Sequence, residues 1–312
     1  MAAIRSCVTL LIVVLCLCNA AQLPVVLWHG MGDSCCFPFS MGKIQKRIED
    51  YYNGTISVHS VRIGNGNIED VANSYMKNAN DQIDIACEQL VNTEAIIKSG
   101  GAFNAIGFSQ GSQFLRAVVQ RCSNNDTRPN AAGIKLQVNN LISIGGQHRG
   151  VFGLPRCIGA NVTLCEYARR MLDYGAYLGF VQDHLAQSNY WNDPLDQETY
   201  LKKCTFLPDI NNEKSIKKPS YKENLTKLNK LVLVQFMQDT MVQPRESQWF
   251  GTYKLGQDKE VVNMVDTDLY KEDWIGLKKL NEDHRIDFLE CPGDHLRFTE
   301  EWFKTNIMHY LK

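Results

Sequence analysis

A serine between two glycines, an aspartate and a histidine occur in this 312-residue sequence in an order suited to nucleophilic acyl transfer. The serine stands in Gly107-Phe108-Ser109-Gln110-Gly111. A G-x-S-x-G pentapeptide arises by chance in a chain this long about one time in ten, so its setting has to be weighed. An apolar run, Phe103–Phe108, precedes it and a helical pattern begins at Gln110, with Phe114, Leu115, Val118 and Val119 on one face. Strand, tight turn, helix is the arrangement that lifts a serine Oγ clear of a sheet. The plainer alternative is a helix N-cap serine after a glycine turn.

A nucleophilic serine needs a base, and the base needs an acid to orient it. In this kind of site the chain order is Ser, Asp or Glu, then His. Asp239 follows the apolar run Leu231–Phe236, and His295 follows Ile286–Leu289 and a turn. His309 lies in the terminal helix pattern, His284 precedes its strand, and His184 falls far from any strand end. Asp294 adjoins His295 too closely to orient it, and Asp266 follows no comparable strand. The expected trio is therefore Ser109, His295 and Asp239. Developing negative charge on the attacked carbonyl also needs donors. His29-Gly30-Met31-Gly32 directly follows the first strand pattern, so the Met31 and Gln110 N–H groups are the expected oxyanion donors. His29 itself reads as structural.

These residues need a sheet with its strands in parallel. Near-continuous apolar runs recur at Pro24–Trp28, Ser57–Ile63, Phe103–Phe108, Asn140–Ile144, Leu231–Phe236 and Ile286–Leu289. Continuous rather than alternating runs mark strands buried on both faces. Helical stretches such as Asp81–Ile97 separate them, which predicts a doubly wound α/β sheet of about six mostly parallel strands. The segment 145–230 shows no strong strand pattern and is too long for a plain connection, which predicts a largely helical insertion. The rest, 22–312, is expected to be a single domain.

Arg5, the apolar run Val8–Cys18 and the small residues before Gln22 predict a secretory leader over 1–21. Eleven apolar residues are too few to span a membrane core, which needs roughly 20, and no later stretch approaches a transmembrane length. Of the eleven cysteines, Cys7, Cys16 and Cys18 would leave with the leader, and the remaining eight suit an oxidising compartment. Sequons stand at Asn53, Asn125, Asn161 and Asn224. A net charge of −1 without Lys/Arg blocks gives no nucleic-acid footprint. No cofactor is implied. No metal is implied either, since Cys291 and His295 lack two further ligands.

Several stretches resemble the lysosomal palmitoyl-protein thioesterase family, which has the α/β-hydrolase fold. They are His29-Gly30-Met31-Gly32-Asp33-Ser34-Cys35-Cys36, Gly107–Arg121, Gly145–Arg156 and Glu300-Glu301-Trp302-Phe303. The likeness runs from about Leu23 to Leu311. It implies an insertion between the sixth and seventh strands of the usual fold, whose two leading strands are absent here. It also implies hydrolysis of long-chain acyl thioesters on S-acylated proteins or peptides, in lysosomes, with the same trio. By the same resemblance Gln147, Leu185, Ala186, Trp191 and Met241 surround the acyl chain. The implied disulfides are Cys35–Cys36, Cys87–Cys122 and Cys157–Cys165. A bridge between neighbours has Cα atoms only about 3.8 Å apart, below the usual range. Cys204 and Cys291 depart from the family pattern, and a fourth bridge between them is expected here. A lipase or general carboxylesterase shares every catalytic residue, and a non-catalytic binding protein of the same fold is a more distant alternative. The oligomeric state is not legible.

Overall fold

The computed structural model describes residues 22–123, 133–153 and 162–312. Eight strands form: β1 (Val25–Trp28), β2 (Val58–Ser60), β3 (Ala102–Phe108), β4 (Gln137–Ile144), β5 (Lys230–Phe236), β6 (Thr252–Tyr253), β7 (Val261–Val262) and β8 (Ile286–Cys291). Six of them make one sheet in the order β2-β1-β3-β4-β5-β8, and every neighbouring pair in it is parallel. The short β6 and β7 pair antiparallel by themselves. This is the doubly wound α/β architecture of a hydrolase fold.

The apolar runs are continuous because the sheet buries both faces. Along β1, Val26 and Trp28 enter one core while Val25 and Leu27 enter the other, and β3 and β5 divide in the same way. The helical pattern over Asp81–Ile97 resolves into two helices, Ala79–Val91 and Glu94–Lys98, because the chain turns at Asn92-Thr93. Between β4 and β5 the described residues form helices at Val162–Gly175, Gly179–His184, Gln197–Lys203, Leu207–Ile210 and Pro219–Leu225. Arg116, fully buried on the helix Gln110–Cys122, anchors this region by donating to the carbonyl of Ile210 and to Asn211 Oδ1. No helix among the described residues is long and apolar enough to cross a membrane.

Two disulfides are formed between described cysteines: Cys35–Cys36, with Cα atoms 3.7 Å apart, and Cys87–Cys122, with 6.1 Å. Cys165 is also disulfide-bonded, while Cys157 lies outside the described residues. The expected bridge between Cys204 and Cys291 is not made; both are free and buried. The sheet separates them, because Cys204 packs in the core on one face and Cys291 ends β8 in the core on the other. Burial pushes the Cys204 thiol up to about 12 and the Cys291 thiol up to about 11. Alkylation without reductant should therefore leave both thiols unlabelled in the folded protein and label both after denaturation, as read by peptide mass mapping.

The sequons also separate. Asn53 is exposed, whereas Asn125 and Asn161 lie outside the described residues, as does the segment 1–21 where a leader is expected. Asn224 is corrected: it is only 3% exposed, and its Nδ2 donates to the carbonyls of Gln120 and Ser123 at 3.0 Å each. A glycan on that nitrogen would replace one of the two hydrogens that make these bonds and would have no room in the core.

Candidate active site

The turn at Ser109 is shaped by what its neighbours lack. Ser109 sits at φ 52° and ψ −123°, between the end of β3 and the helix Gln110–Cys122. A non-glycine residue held there costs on the order of 1–3 kcal/mol, which the surrounding packing must supply. A Cβ on Gly107 would lie 2.3 Å from Ser112 Cα, and one on Gly111 2.3 Å from the Trp28 carbonyl oxygen. Both positions must be glycine for strand and helix to pass this closely. The Ser109 N–H donates to the Ile144 carbonyl at 2.8 Å, which fastens the turn to β4.

The other two candidate residues reach Ser109 from the ends of β5 and β8. His295 Nε2 lies 2.9 Å from Ser109 Oγ, and His295 Nδ1 lies 2.6 Å from Asp239 Oδ2. With Nδ1–H donating to the carboxylate, Nε2 is left to accept from the serine hydroxyl. Asp239 is fully buried as a side chain and its remaining capacity is filled. Its Oδ1 accepts from the N–H groups of Met241 and Val242 at 2.8 Å each, and Gln248 Nε2 donates to Oδ2 at 2.9 Å. Gln248 Oε1 in turn accepts from the Phe236 N–H at 3.0 Å, so the acid is braced on its own strand. Asp294 does not face the imidazole. It accepts from the His295 N–H and from Thr240, tying the histidine loop to the acid loop.

Met31 lines the cavity beside Ser109, immediately after β1 and Gly30. A Cβ on Gly30 would stand 3.1 Å from Ser109 Cβ, so this loop passes close over the serine. Gln110 opens its helix, so its N–H has no intrahelical acceptor. Its side chain is fixed by donating to the Ser74 carbonyl at 3.0 Å and accepting from Tyr190 Oη at 2.9 Å.

A cavity of about 210 Å³ opens onto Ser109 and His295. Gln147 and Met241 line it; Leu185, Ala186 and Trp191 do not. Leu185 and Ala186 are fully buried, with Leu185 packed beside Leu172 and Val181, and the Trp191 ring meets Phe152 at a tilt of 57° with centroids 5.4 Å apart. The walls come instead from Tyr75, Val151, Ala168, Gln187 and Tyr190, together with Met31. Apart from Met31, sequence reasoning missed these because no local pattern marks them; they converge from separate segments of the chain.

A family model for palmitoyl protein thioesterase matches residues 24–295. The chain belongs to the palmitoyl protein thioesterase family. It is 48% identical to palmitoyl-protein thioesterase 1 of Caenorhabditis elegans, across 92% of this chain and 91% of that one. It is 36% identical to palmitoyl-protein thioesterase 3 of Dictyostelium discoideum, across 94% and 91%. With the human lysosomal thioesterase PPT2 it shares 23% identity, across 88% and 81%.

In this family member the loop carrying Met31 is held by a buried ion pair. His29 Nε2 lies 3.1 Å from Asp70 Oδ1, and Asp70 also accepts from the N–H groups of Ile63 and Cys35 and from Ser34 Oγ. Burial alone would push the imidazole down, but the hydrogen bond and charge of Asp70 outweigh it and raise the pKa of His29. Burial would likewise raise the Asp70 carboxyl, and His29 with the two backbone donors instead holds it below its ordinary value. The stability from His29 is complete below its unfolded pKa of about 6.5 and is lost as pH rises through its raised folded value. The stability from Asp70 is present above its unfolded pKa of about 3.9 and is lost as pH falls through its depressed folded value. The thioesterase should therefore be most stable at mildly acidic pH. Asp70→Asn should cost about 3–5 kcal/mol there and flatten the neutral-side decline, as read from thermal unfolding against pH.

Proposed function

We propose that this chain hydrolyses the thioester joining a long-chain fatty acyl group to cysteine in S-acylated proteins or peptides, by a Ser109–His295–Asp239 mechanism. The observation that carries the reading is the continuous relay, 2.9 Å and then 2.6 Å, beneath a cavity whose walls include Met31, Val151, Ala168 and Met241 beside Gln147 and Gln187. Ser109 Oγ attacks the thioester carbonyl while His295 Nε2 takes its proton, and buried Asp239 stabilises the imidazolium. The Met31 and Gln110 N–H groups face the developing oxyanion. Collapse breaks the C–S bond, and the cysteine thiol leaves with the proton held by His295. Thiolate is a good leaving group, since free cysteine has a pKa near 8.5, so the second half matters as much as the first. Water then attacks the acyl-serine with His295 as base, releasing the fatty acid and restoring Ser109.

The leader-like first 21 residues and the lysosomal thioesterases among its relatives support action in an acidic compartment of the secretory pathway. The exposed Asn53 is available there as a glycan acceptor. The substrate reading is tested by comparing kcat/KM on a palmitoyl-cysteine peptide, a triglyceride emulsion and a short-chain ester. The thioester should lead both by a wide margin; a preference for triglyceride would make the chain a lipase.

A further inference from the structure

Outside the catalytic cavity, large apolar side chains stand in solvent on one part of the surface. On the helix Val162–Gly175, Thr163, Tyr167, Arg170 and Tyr174 are exposed while Cys165, Ala168, Met171 and Leu172 are buried. The exposed set recurs at i, i+4, i+7 and i+11, which is a single helical face. Tyr167 is 49% and Tyr174 78% exposed, and the chain continues directly into Leu178 at 46% and Phe180 at 63%. Phe39, 74% exposed, stacks on Phe37 at 5.1 Å, and Phe37 packs on the buried cluster to which Cys165, Ala168, Met171 and Leu172 contribute. Singly exposed apolar residues need no explanation, but a run of them along one helix face and on into the following turn does.

The opposite face of that helix is a wall of the reaction cavity, through Cys165 and Ala168. One helix, about 10 Å across, therefore separates the exposed aromatic face from the place where the acyl carbonyl must sit. At about 210 Å³ the cavity is smaller than the roughly 300–1,000 Å³ that encloses a drug-sized ligand. A long acyl chain must then cross the rim rather than vanish inside. Tyrosines with an apolar ring and a wet hydroxyl, beside an exposed arginine, suit the boundary between lipid and water.

The geometry points to Phe39, Tyr167, Tyr174, Leu178 and Phe180 as a docking face for a lipid surface, from which the acyl chain passes over the helix Val162–Gly175 to Ser109. This rests on the thioesterase reading above, because only a lipid-anchored substrate requires it. The side chains would lie flat in the interface rather than span it.

The test uses the full chain, vesicles of phosphatidylcholine doped with phosphatidylserine, and a palmitoylated peptide supplied either on those vesicles or free below its aggregation threshold. The native protein should float with the vesicles. The triple variant Tyr174→Ser, Leu178→Ser, Phe180→Ser and the separate Phe39→Ser should retain kcat on the free peptide. The triple variant should lose about tenfold in vesicle partition and gain about tenfold in KM for the vesicle-borne peptide. A native protein that stays with the unbound fraction overturns the proposal, as does a triple variant that floats and turns over like the native chain. A native dimer converted to monomer by these substitutions would overturn it too, by assigning the face to self-association. Failure to hydrolyse the free peptide would instead sink the thioesterase reading.

Discussion

Ser109→Ala should lower kcat on a palmitoyl-cysteine peptide by about 10⁶-fold, and His295→Ala should lower it by about as much. The two should not add. Each removes one end of a single proton path, Ser109 Oγ to His295 Nε2, so the double variant should be no slower than either single one. The residual rate over uncatalysed hydrolysis comes from the oxyanion donors and the cavity, which neither substitution touches. Ser109→Ala also relieves no packing, since only Oγ is lost and the φ of 52° remains, so thermal stability should stay close to native. Steady-state kcat for the two single variants and the double variant decides the point. A roughly multiplicative loss in the double variant would mean that Ser109 and His295 do not act as a unit.

Asp239→Asn should cost about 10⁴-fold in kcat with the fold intact. The reason lies in the four donors around the carboxylate. Met241 N–H and Val242 N–H already occupy Oδ1, so an asparagine keeps its oxygen there and turns its Nδ2 toward Gln248 Nε2 and His295 Nδ1. Two donors then face Gln248's own donor and the imidazole. His295 must present a bare Nδ1 and carry its proton on Nε2, where it cannot accept from Ser109. The loss should therefore fall in kcat, with KM for the peptide almost unchanged. Raising pH should not restore it, because the fault is the tautomer rather than protonation. Gln248→Ala should cost much less, since it removes only one of the donors to Asp239.

What could be read from the chain follows the range of the forces involved. Ser109, Asp239 and His295 could be singled out because each follows an apolar strand, and strand ends in a parallel sheet all emerge at one edge. The four inner strands were legible because both of their faces are buried and their apolar runs are unbroken, while β2 and β8 at the sheet edges are only partly buried. Gln248, Gln187 and Tyr190 carried no such mark. Their positions depend on how distant segments pack, and an isolated Gln looks the same on a surface as beside a buried carboxylate. Leu185, Ala186 and Trp191 stand outside the lining of the cavity at Ser109, and apolar identity alone does not say which side of a wall a residue fills. The pairing expected for Cys204 and Cys291 rested on parity, which counts thiols without knowing that a sheet stands between them. The Asn224 sequon met a similar limit, because its three residues cannot show that Nδ2 is spent on two buried carbonyls.

Catalysis through Ser109 requires a covalent acyl-serine, and that species can be caught. The native chain is mixed with palmitoyl-cysteine peptide, quenched in acid during the first turnover, digested and mapped by mass spectrometry. The expected result is one added palmitoyl group on the peptide containing Ser109, absent in Ser109→Ala and long-lived only where water attack is slowed. A palmitoyl group on any other residue, or turnover with no acylated peptide at the earliest times, would contradict it.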